Sequence, residues 1–309
     1  MPIIFSRITK LYMILNIYFQ LNVSRDLPYF PQNATLRVYE GTPAEMGEIP
    51  YQIAFKKKNP PKINTYYTYC GGSIIGNIKI LSAAHCFVVE STGILSFWFS
   101  NKQLGDLDDK YAVAGTLRNL ASERQPYEQW RDISKVVYHH NYQFPENDIA
   151  IVFVTESFYY NQYVKPIKYA TKFEDYEGFC LVSGYGRTSM SILSDTLLKA
   201  YLLLLPLNWC NELHRKDMSY CICTSIVGSD IGKGDSGGPL VCQQSGVRAE
   251  REPILVGVAT GTEPGVHSIF ARVSTYRRFI ENNRCTKVSI NIVVIILFLP
   301  HYIGLLSGD

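Results

Sequence analysis

The sequence has little charge, few histidines and no paired CxxC motifs, and each shortage excludes a class of protein. Charged residues make up 18% of the 309 residues and the formal net charge is +3. Without a dense basic block, nucleic-acid binding is not predicted. Cys221 and Cys223 are too close in sequence for a normal pair of zinc ligands, and no histidine cluster accompanies them, which argues against a zinc site. We therefore expect no metal, no nucleotide and no other cofactor.

Widely spaced cysteines favour disulfide bonds and an oxidising compartment, and the N-terminus agrees with export. Arg7 and Lys10 precede an apolar run at residues 11–21. This run is typical of a signal-peptide core, because it is too short to span a bilayer comfortably. A buried N-terminal helix is the alternative. We predict a signal peptide over residues 1–21, a polar pro-segment over residues 22–37, and a secreted, extracellular protein.

The C-terminal tail, residues 285–309, contains a second apolar stretch. Residues 288–306 are mostly Ile, Val and Leu and are about long enough to cross a membrane. Asn291, Pro300 and His301 interrupt them. Three interpretations stay open: a membrane anchor, a tail packed on the body, or sequence that is not truly coding.

Between these ends, short strand-like runs alternate with loops rich in Gly, Asn and Asp, which is typical of an all-β barrel or sandwich. The predicted strands are 50–55, 72–75, 78–82, 94–99, 111–114, 133–138, 149–154, 164–167, 179–184, 197–205, 240–243, 254–258 and 269–273. Two sets, about residues 38–155 and 164–273, suggest two barrels. Ser274 is a candidate cap for a helix over residues 274–283. The lysines at 56–58, next to Asn59-Pro60-Pro61, indicate a solvated loop.

The motif GDSGGP at residues 234–239 predicts a nucleophilic serine. Glycine lets the backbone fold tightly around Ser236, so that amide groups can face a developing oxyanion. A Gly-rich turn with an incidental serine is the alternative. A serine needs an adjacent base, and His85 in SAAHC at 82–86 is the candidate. The carboxylate that orients this base is Asp148, which precedes an apolar strand. The chain order His, Asp, Ser is that of the chymotrypsin arrangement.

Over roughly residues 37–283 the chain resembles the chymotrypsin/trypsin (S1) family of serine proteases. The resemblance is carried by SAAHC at 82–86, NDIA at 147–150, GDSGGP at 234–239, PYQ at 50–52 and CLVSGYG at 180–186. It implies a protease domain over residues 38–284, with two six-stranded antiparallel barrels and the active site between them. His85 and Asp148 would come from the first barrel and Ser236 from the second. The backbone N–H groups of Gly234 and Ser236 would form the oxyanion hole.

The resemblance also implies synthesis as a zymogen. Cleavage after Arg37 would free the amino group of Val38, which would insert and pair with Asp235. The family's Ile-Val-Gly-Gly reads VYEG at 38–41 here, so the match is partial, and a chance match is the alternative. The expected spacing to the PYQ motif supports the assignment.

The family's disulfide pattern can be carried over in part. It implies three bridges, with Cys221 competing with Cys223 for Cys210: Cys70–Cys86, Cys180–Cys242 and Cys210–Cys223. Cys221 and Cys285 remain, and pairing with each other, free thiols and a link to another chain all stay open. A fourth bridge beside the specificity pocket is missing, since Gly232 and the segment 261–265 lack the cysteines.

The specificity pocket departs further from the family. Asp230, six residues before Ser236, corresponds to the pocket floor and favours cleavage after Arg or Lys; a solvent-facing loop aspartate is the alternative. The segment expected as Ser-Trp-Gly reads TGT at 260–262. The segment expected as Pro-Gly-Val-Tyr reads either PGVH at 264–267 or HSIF at 267–270. Alignment on ARV at 271–273 favours the second, in which Ser268 would replace a pocket-lining glycine and narrow the pocket.

The sequence therefore predicts a serine endopeptidase that acts through an acyl-enzyme. Its partners would be protein or peptide substrates, an activating protease and protein inhibitors. The alternative from another class is a non-catalytic homologue that binds a regulatory partner through the same fold. A third interpretation is a protease tethered to a membrane by residues 288–306. The family sometimes binds calcium in a first-barrel loop, but no acidic cluster here calls for it.

Overall fold

The computed structural model describes residues 41–59, 64–90, 102–186, 194–225, 231–232, 234–243, 252–263 and 267–283. Several predictions fall outside these residues. They are the signal peptide, the pro-segment, Arg37, Val38, the strand at 94–99, Asp230, Cys285 and the C-terminal tail.

The described part of the chain is built mainly from strands. Numbered along the chain, they are β1 (Thr42–Pro43), β2 (Gln52–Lys58), β3 (Tyr66–Gly76), β4 (Lys79–Ser82), β5 (Val88–Glu90), β6 (Lys102–Leu104), β7 (Lys110–Ala114), β8 (Leu120–Ala121), β9 (Gln129–Tyr138), β10 (Ala150–Val154), β11 (Lys168–Tyr169), β12 (Phe179–Gly184), β13 (Leu198–Leu203), β14 (Cys221–Cys223), β15 (Pro239–Gln243), β16 (Pro253–Glu263) and β17 (His267–Arg272). The α-helices are α1 (Leu207–His214) and α2 (Arg277–Asn282).

The first barrel is a closed antiparallel sheet. Its strands follow the order β2, β7, β9, β10, β4, β3, and β3 pairs back with β2. Strand β10 is buried along its whole length and lies between β9 and β4. The sequence of β10 is a continuous run of apolar residues, because both faces of the strand are buried. The barrel interior is filled by apolar side chains that include Ile53, Phe55, Ile74, Ile80 and Val152.

The second barrel follows the order β13, β12, β15, β16, β17, β14. A single bridge between Leu204 and Thr224 connects the end of β13 to the end of β14 and closes the ring. Strand β1 adds to the outer edge of β13, where Thr42 lies opposite Lys199. The predicted all-β fold of two antiparallel barrels with a C-terminal helix is confirmed.

The prediction of a solvated loop at residues 56–58 is wrong. All three lysines belong to β2, and Lys56 is completely buried. Its ammonium group donates to the Thr68 hydroxyl and to the carbonyl oxygens of Arg118 and Asn119, at 3.1, 2.6 and 2.6 Å. Three acceptors match the three N–H donors of an ammonium group. The partners lie up to 63 residues away in sequence, so the local lysine run could not reveal them.

The prediction that Ser274 caps the last helix is also wrong. The chain passes from β17 into a 3₁₀ turn over Val273–Tyr276, and α2 begins only after it, with Tyr276 at its N-cap. The side chains of Val273 and Tyr276 are buried and fix this turn. The Ser274 hydroxyl is buried without a hydrogen-bond partner in the described structure. Helix α1 was not predicted from the sequence.

None of the helices that the structure describes is both long enough and apolar enough to cross a bilayer.

Candidate active site

His85 and Asp148 are held together by two hydrogen bonds. SAAHC at 82–86 leaves β4 and forms a 3₁₀ turn over Ala84–Cys86, whereas Asp148 precedes β10. The His85 ring nitrogen Nδ1 lies 2.7 Å from Asp148 Oδ2, and the His85 backbone N–H donates to Asp148 Oδ1 at 2.9 Å. Asp148 is completely buried, and 24% of the His85 side chain is exposed. Nδ1 is therefore the protonated nitrogen when the imidazole is neutral, and Nε2 can accept a proton.

The loop that carries Ser236 comes from the second barrel but rests on the first. The Gly71 backbone N–H on β3 donates to the Ser236 carbonyl oxygen at 2.7 Å. Cys86 Sγ lies 3.8 Å from that carbonyl oxygen and 4.0 Å from His85 Nε2. The Cys86 sulfur atom is therefore a neighbour of both the Ser236 backbone and His85 Nε2. The structure brings His85, Asp148 and Ser236 together at the junction of the barrels.

Two glycines around Ser236 are needed for its backbone path. Gly234 and Gly237 have φ angles of 118° and 77°, in the left-handed region that glycine adopts without steric cost. A Cβ on Gly237 would lie 2.3 Å from the Ser82 hydroxyl and 2.5 Å from the Gly71 carbonyl oxygen. The turn can therefore approach β3 closely only because residue 237 is glycine.

The Asp235 carboxylate occupies a space that two other glycines, Gly184 and Gly186, leave open. Its Oδ1 accepts the Gly186 N–H and its Oδ2 accepts the Gly232 N–H, both at 2.7 Å. A Cβ on Gly184 or Gly186 would come within 2.0 or 2.1 Å of the carboxylate. Sequence reasoning identified CLVSGYG at 180–186 as a motif but missed that its glycines accommodate Asp235. No local pattern connects positions 50 residues apart.

The described structure contains three disulfide bonds. They join Cys70 to Cys86, Cys180 to Cys242, and Cys210 to Cys223. The first attaches the residue next to His85 to β3. Cys221 carries a free, buried thiol. Burial raises the pKa of this thiol to about 12, so it is a poor nucleophile at neutral pH.

Among the residues that the structure describes, two groups of side chains have the composition of a metal site, but both contain a disulfide. His85 lies near Cys70 and Cys86, and His214 lies near Cys210 and Cys223. Because the cysteines of each group are bonded to each other, neither group offers thiolate ligands.

Elsewhere in the first barrel, the Glu128 carboxylate is paired with the Arg118 guanidinium at 3.0 Å.

In the wall of the expected specificity pocket, Ser268 forms hydrogen bonds with two other segments of the chain. This residue is completely buried on β17, and its hydroxyl accepts the Ile231 N–H at 3.1 Å. Its backbone N–H donates to the Thr224 hydroxyl at 3.2 Å. Ser268 thus attaches the segment that leads to Ser236 to the second barrel, in a region where the family's fourth disulfide is missing. Asp230, next to Ile231, lies outside the described residues.

Comparisons with known proteins identify the family of this chain. The family model described as Trypsin matches residues 38–280. The chain is 28% identical over 262 residues to the venom peptide isomerase heavy chain of Agelenopsis aperta, covering 79% of this chain and 98% of that protein. It is 26% identical to CLIP domain-containing serine protease B4 of Anopheles gambiae, covering 81% and 71%. It is 27% identical to Trypsin-1 of Astacus astacus, covering 79% and 98%. The chain belongs to the chymotrypsin/trypsin family of serine proteases.

Proposed function

We propose that this protein is a serine endopeptidase that hydrolyses peptide bonds through a Ser236, His85 and Asp148 triad. The observation that carries the proposal is the buried Asp148 carboxylate bonded to His85 Nδ1 at 2.7 Å, beside the loop of Ser236. A carboxylate in this place fixes the tautomer of the imidazole and stabilises the imidazolium ion that forms during the reaction.

The reaction follows from these roles. Ser236 Oγ attacks the scissile carbonyl carbon while His85 Nε2 takes the hydroxyl proton. The backbone N–H groups of Gly234 and Ser236 stabilise the oxyanion. His85 then gives its proton to the leaving amine, which departs and leaves an acyl-enzyme on Ser236. A water molecule, deprotonated by His85, hydrolyses this ester and restores the serine.

A covalent probe tests the catalytic triad. A fluorophosphonate should label the Arg37-cleaved protein with 1:1 stoichiometry, and peptide mapping should find the label on Ser236. The Ser236→Ala and His85→Ala variants should not be labelled, whereas the Ser219→Ala variant, which changes a half-buried serine bonded to Asp217, should be labelled normally. Absence of label in the cleaved, folded protein would overturn the proposal and favour a non-catalytic homologue that acts by binding.

We also propose that the protein is made as a zymogen that is activated by cleavage between Arg37 and Val38. The support is the Asp235 carboxylate, which fits against Gly184 and Gly186 and accepts the N–H groups of Gly186 and Gly232. An ammonium group at Val38 would be its counter-charge. The Arg37→Gln variant should resist a trypsin-like activator and stay inactive. Full activity in uncleaved Arg37→Gln protein would contradict the proposal.

For specificity, we propose cleavage after Arg or Lys, with Asp230 as the partner of the basic side chain. The support is the position of Asp230, six residues before Ser236, next to Ile231, which Ser268 attaches to β17. Because the Ser268 hydroxyl accepts the Ile231 N–H, Ser268→Gly should loosen the attachment of Ile231, the neighbour of Asp230, and lower kcat/KM for Arg and Lys substrates. A peptide-library profile decides the matter, because a preference for aromatic or small residues would show that Asp230 does not serve this role.

Finally, we propose that the protein is secreted, with residues 1–21 removed. The three disulfides of the described structure support an oxidising compartment. Expression in a secretory cell line, followed by N-terminal sequencing and a C-terminal epitope after residue 309, tests this. Intact protein in the medium with the epitope attached supports secretion, whereas retention in the membrane fraction supports an anchor at residues 288–306.

A further inference from the structure

Lys56 on β2 carries a buried amine that the catalytic reaction does not use. Its side chain is completely buried, and its ammonium group donates to the carbonyl oxygens of Arg118 and Asn119, both at 2.6 Å. Burying a charged group is costly unless hydrogen-bond partners surround it. The ammonium group and the backbone at residues 118–119 therefore hold each other in one arrangement.

The backbone that Lys56 holds is also bonded to the second barrel. Residues 117–119 form a short antiparallel contact with residues 195–197, which lie just before β13. The Asn119 N–H donates to the Asp195 carbonyl oxygen at 2.9 Å, and a second backbone bond of 2.6 Å joins the other ends of the two segments. A shift of residues 117–119 would therefore move the second barrel's segment as well.

The Asn119 side chain extends this contact toward the active site. It is buried, and its Nδ2 donates to the Ser194 carbonyl oxygen at 2.7 Å. The Ser194 N–H donates to the Gly186 carbonyl oxygen at 3.2 Å, and the Gly186 N–H donates to Asp235 Oδ1 at 2.7 Å. Four hydrogen bonds thus connect the Lys56 ammonium group with the carboxylate next to the expected nucleophile.

Tyr185 provides a second connection from Lys56 to Gly186. Its buried side chain directly precedes this glycine, and its hydroxyl donates to the Thr116 carbonyl oxygen at 2.8 Å. The Lys56 ammonium group lies 5.8 Å from the centroid of the Tyr185 ring, within the distance of a cation–π interaction. Both connections end at the segment 184–186, which accommodates the Asp235 carboxylate.

We propose that Lys56 is a positioning residue, which holds Asp235, and with it the loop around Ser236 that forms the oxyanion hole, in the arrangement that catalysis needs. This inference rests on the proposed endopeptidase and zymogen functions, in which the Val38 amine pairs with Asp235.

Loss of the ammonium group would leave two buried carbonyl oxygens, those of Arg118 and Asn119, without their charged donor. A buried carbonyl group without a partner carries the full cost of its desolvation, so this backbone would move to find another donor. The segment 194–197 would move with it. The Gly186 N–H would then no longer hold Asp235 in place.

The test replaces Lys56 by methionine, which has a similar length but no donor. In the Arg37-cleaved protein, the rate at which a fluorophosphonate labels Ser236 should fall about tenfold, the change that about 1.4 kcal/mol produces in an equilibrium constant. An acetylating reagent should modify the Val38 amine faster by about the same factor, because its pairing with Asp235 is weaker. Mass spectrometry of the N-terminal peptide measures this second rate, which does not depend on catalysis.

Lys79→Met is the matched control. Lys79 also donates from the first barrel to a backbone carbonyl group across the molecule, that of Ile280 in α2, but not to residues 118–119. This variant should unfold at a lower urea concentration and keep native rates of labelling and of Val38 acetylation. A tenfold slower labelling in Lys79→Met as well would show that any lost contact between the barrels has this effect, and it would contradict a specific role of Lys56.

Asn119→Ala interrupts the same connection at a second point and carries the test if Lys56→Met does not fold. It should slow fluorophosphonate labelling and speed Val38 acetylation in the same way. If Lys56 acts through Asn119, the double variant should be affected no more than the stronger single variant. Additive effects would contradict the connection through Asn119.

The outcomes separate this inference from the proposed function. A native cleaved protein that takes no fluorophosphonate label defeats the endopeptidase proposal. If the native protein is labelled, and folded Lys56→Met is labelled at the native rate with its Val38 amine equally protected, the inference is overturned and Lys56 serves stability alone.

Discussion

At the scale of the residue, Asp148 is the group whose chemistry can be isolated most cleanly. The Asp148→Asn variant keeps the size of the side chain, but its amide cannot hold the Nδ1 proton of His85 in the same way. We expect kcat to fall about 10⁴-fold, the magnitude known for this exchange in the family's reference enzyme, with KM nearly unchanged. Steady-state kinetics on a peptide ester measures this. The exposed Asp106→Asn serves as control, and a loss below about tenfold would contradict the role of Asp148.

The glycines around Asp235 give a second prediction at this scale. Gly186→Ala would place a methyl group 2.1 Å from the Asp235 carboxylate, which no small adjustment relieves. We expect Asp235 to move and the oxyanion loop with it, so the fraction of protein that a fluorophosphonate labels should drop at least tenfold. Gly76→Ala is the matched control, since a Cβ there meets only the Lys79 side chain at 3.5 Å. Normal labelling of Gly186→Ala would show that Asp235 tolerates displacement.

The residues of the site differ in how far the sequence could predict them. Ser236, His85 and Asp148 each lie in a short motif, so local sequence was sufficient to suggest them. Phe144, in the loop between β9 and β10, has no motif, and only the fold brings its ring to 5.7 Å from the His85 ring. Gly184 and Gly186 could be recognised as part of a motif. The sequence did not show why glycine is needed there, because the Asp235 carboxylate reaches these positions only when β12 packs against the loop after residue 231.

At the scale of the element, Glu128 organises the loop between β7 and β9. Its carboxylate accepts hydrogen bonds from the Trp130 indole, the Thr116 hydroxyl, the Gln125 backbone and the Arg118 guanidinium. Burial by itself would raise the pKa of Glu128, but these hydrogen bonds outweigh it, so the pKa lies below its ordinary value of 4.5. The folded state therefore favours the ionised carboxylate more than the unfolded chain does.

The pH dependence of stability follows from that direction. The stabilisation by Glu128 is complete above pH 4.5 and is lost as the pH falls from there through the folded-state pKa. We expect Glu128→Gln to cost about 2 kcal/mol near neutral pH, since hydrogen bonds to a charged group are worth about 1.5–3 kcal/mol. Urea unfolding of both proteins between pH 3 and 7 should show this difference shrinking below pH 4.5. A difference that stays constant over this range would contradict the linkage.

The elements show the same contrast between local and distant information. Strands β10 and β12 were predicted within one residue of their bounds, because each is a short apolar run with clear ends. Strand β2 extends through Lys58, contrary to the loop prediction, because distant carbonyl groups satisfy Lys56. Helix α1 was not predicted, and its one buried residue, Cys210, is bonded to Cys223 on β14. Tertiary contacts override local preference at these places.

At the scale of the whole molecule, the disulfides constrain the chain over different distances. Cys180 and Cys242 are 62 residues apart, whereas Cys210 and Cys223 are 13 apart. A bridge that closes a longer loop removes more entropy from the unfolded chain. We expect replacement of the first pair by alanine to cost about 4 kcal/mol and of the second about 3 kcal/mol. Guanidinium unfolding of the two double variants measures this order. The reverse order would show that contacts in the folded state dominate.

Contacts between the barrels combine them into one unit around the site. Gly71 donates to Ser236, the Ser183 hydroxyl donates to the Gln52 side chain at 2.7 Å, and Lys79 donates to the Ile280 carbonyl oxygen in α2. The sequence predicted two barrels from two sets of strands, but it held no signal for these cross-contacts. Each of them joins residues more than 100 positions apart.

The burial of Lys56 makes its amine a reporter of unfolding. Three adjacent lysines share one strand, yet Lys58 is about half exposed and Lys57 lies over the rings of Tyr67 and Tyr69. An acylating reagent in solution reaches Lys58 in the native protein, whereas it reaches Lys56 only after the barrel opens. Burial lowers the pKa of Lys56 to about 7 only in the folded state, and the amine regains the ordinary lysine pKa of about 10.4 once the barrel opens, so labelling at alkaline pH reports the opening. Mass spectrometry of one tryptic region would thus follow surface labelling and global opening within the same molecule.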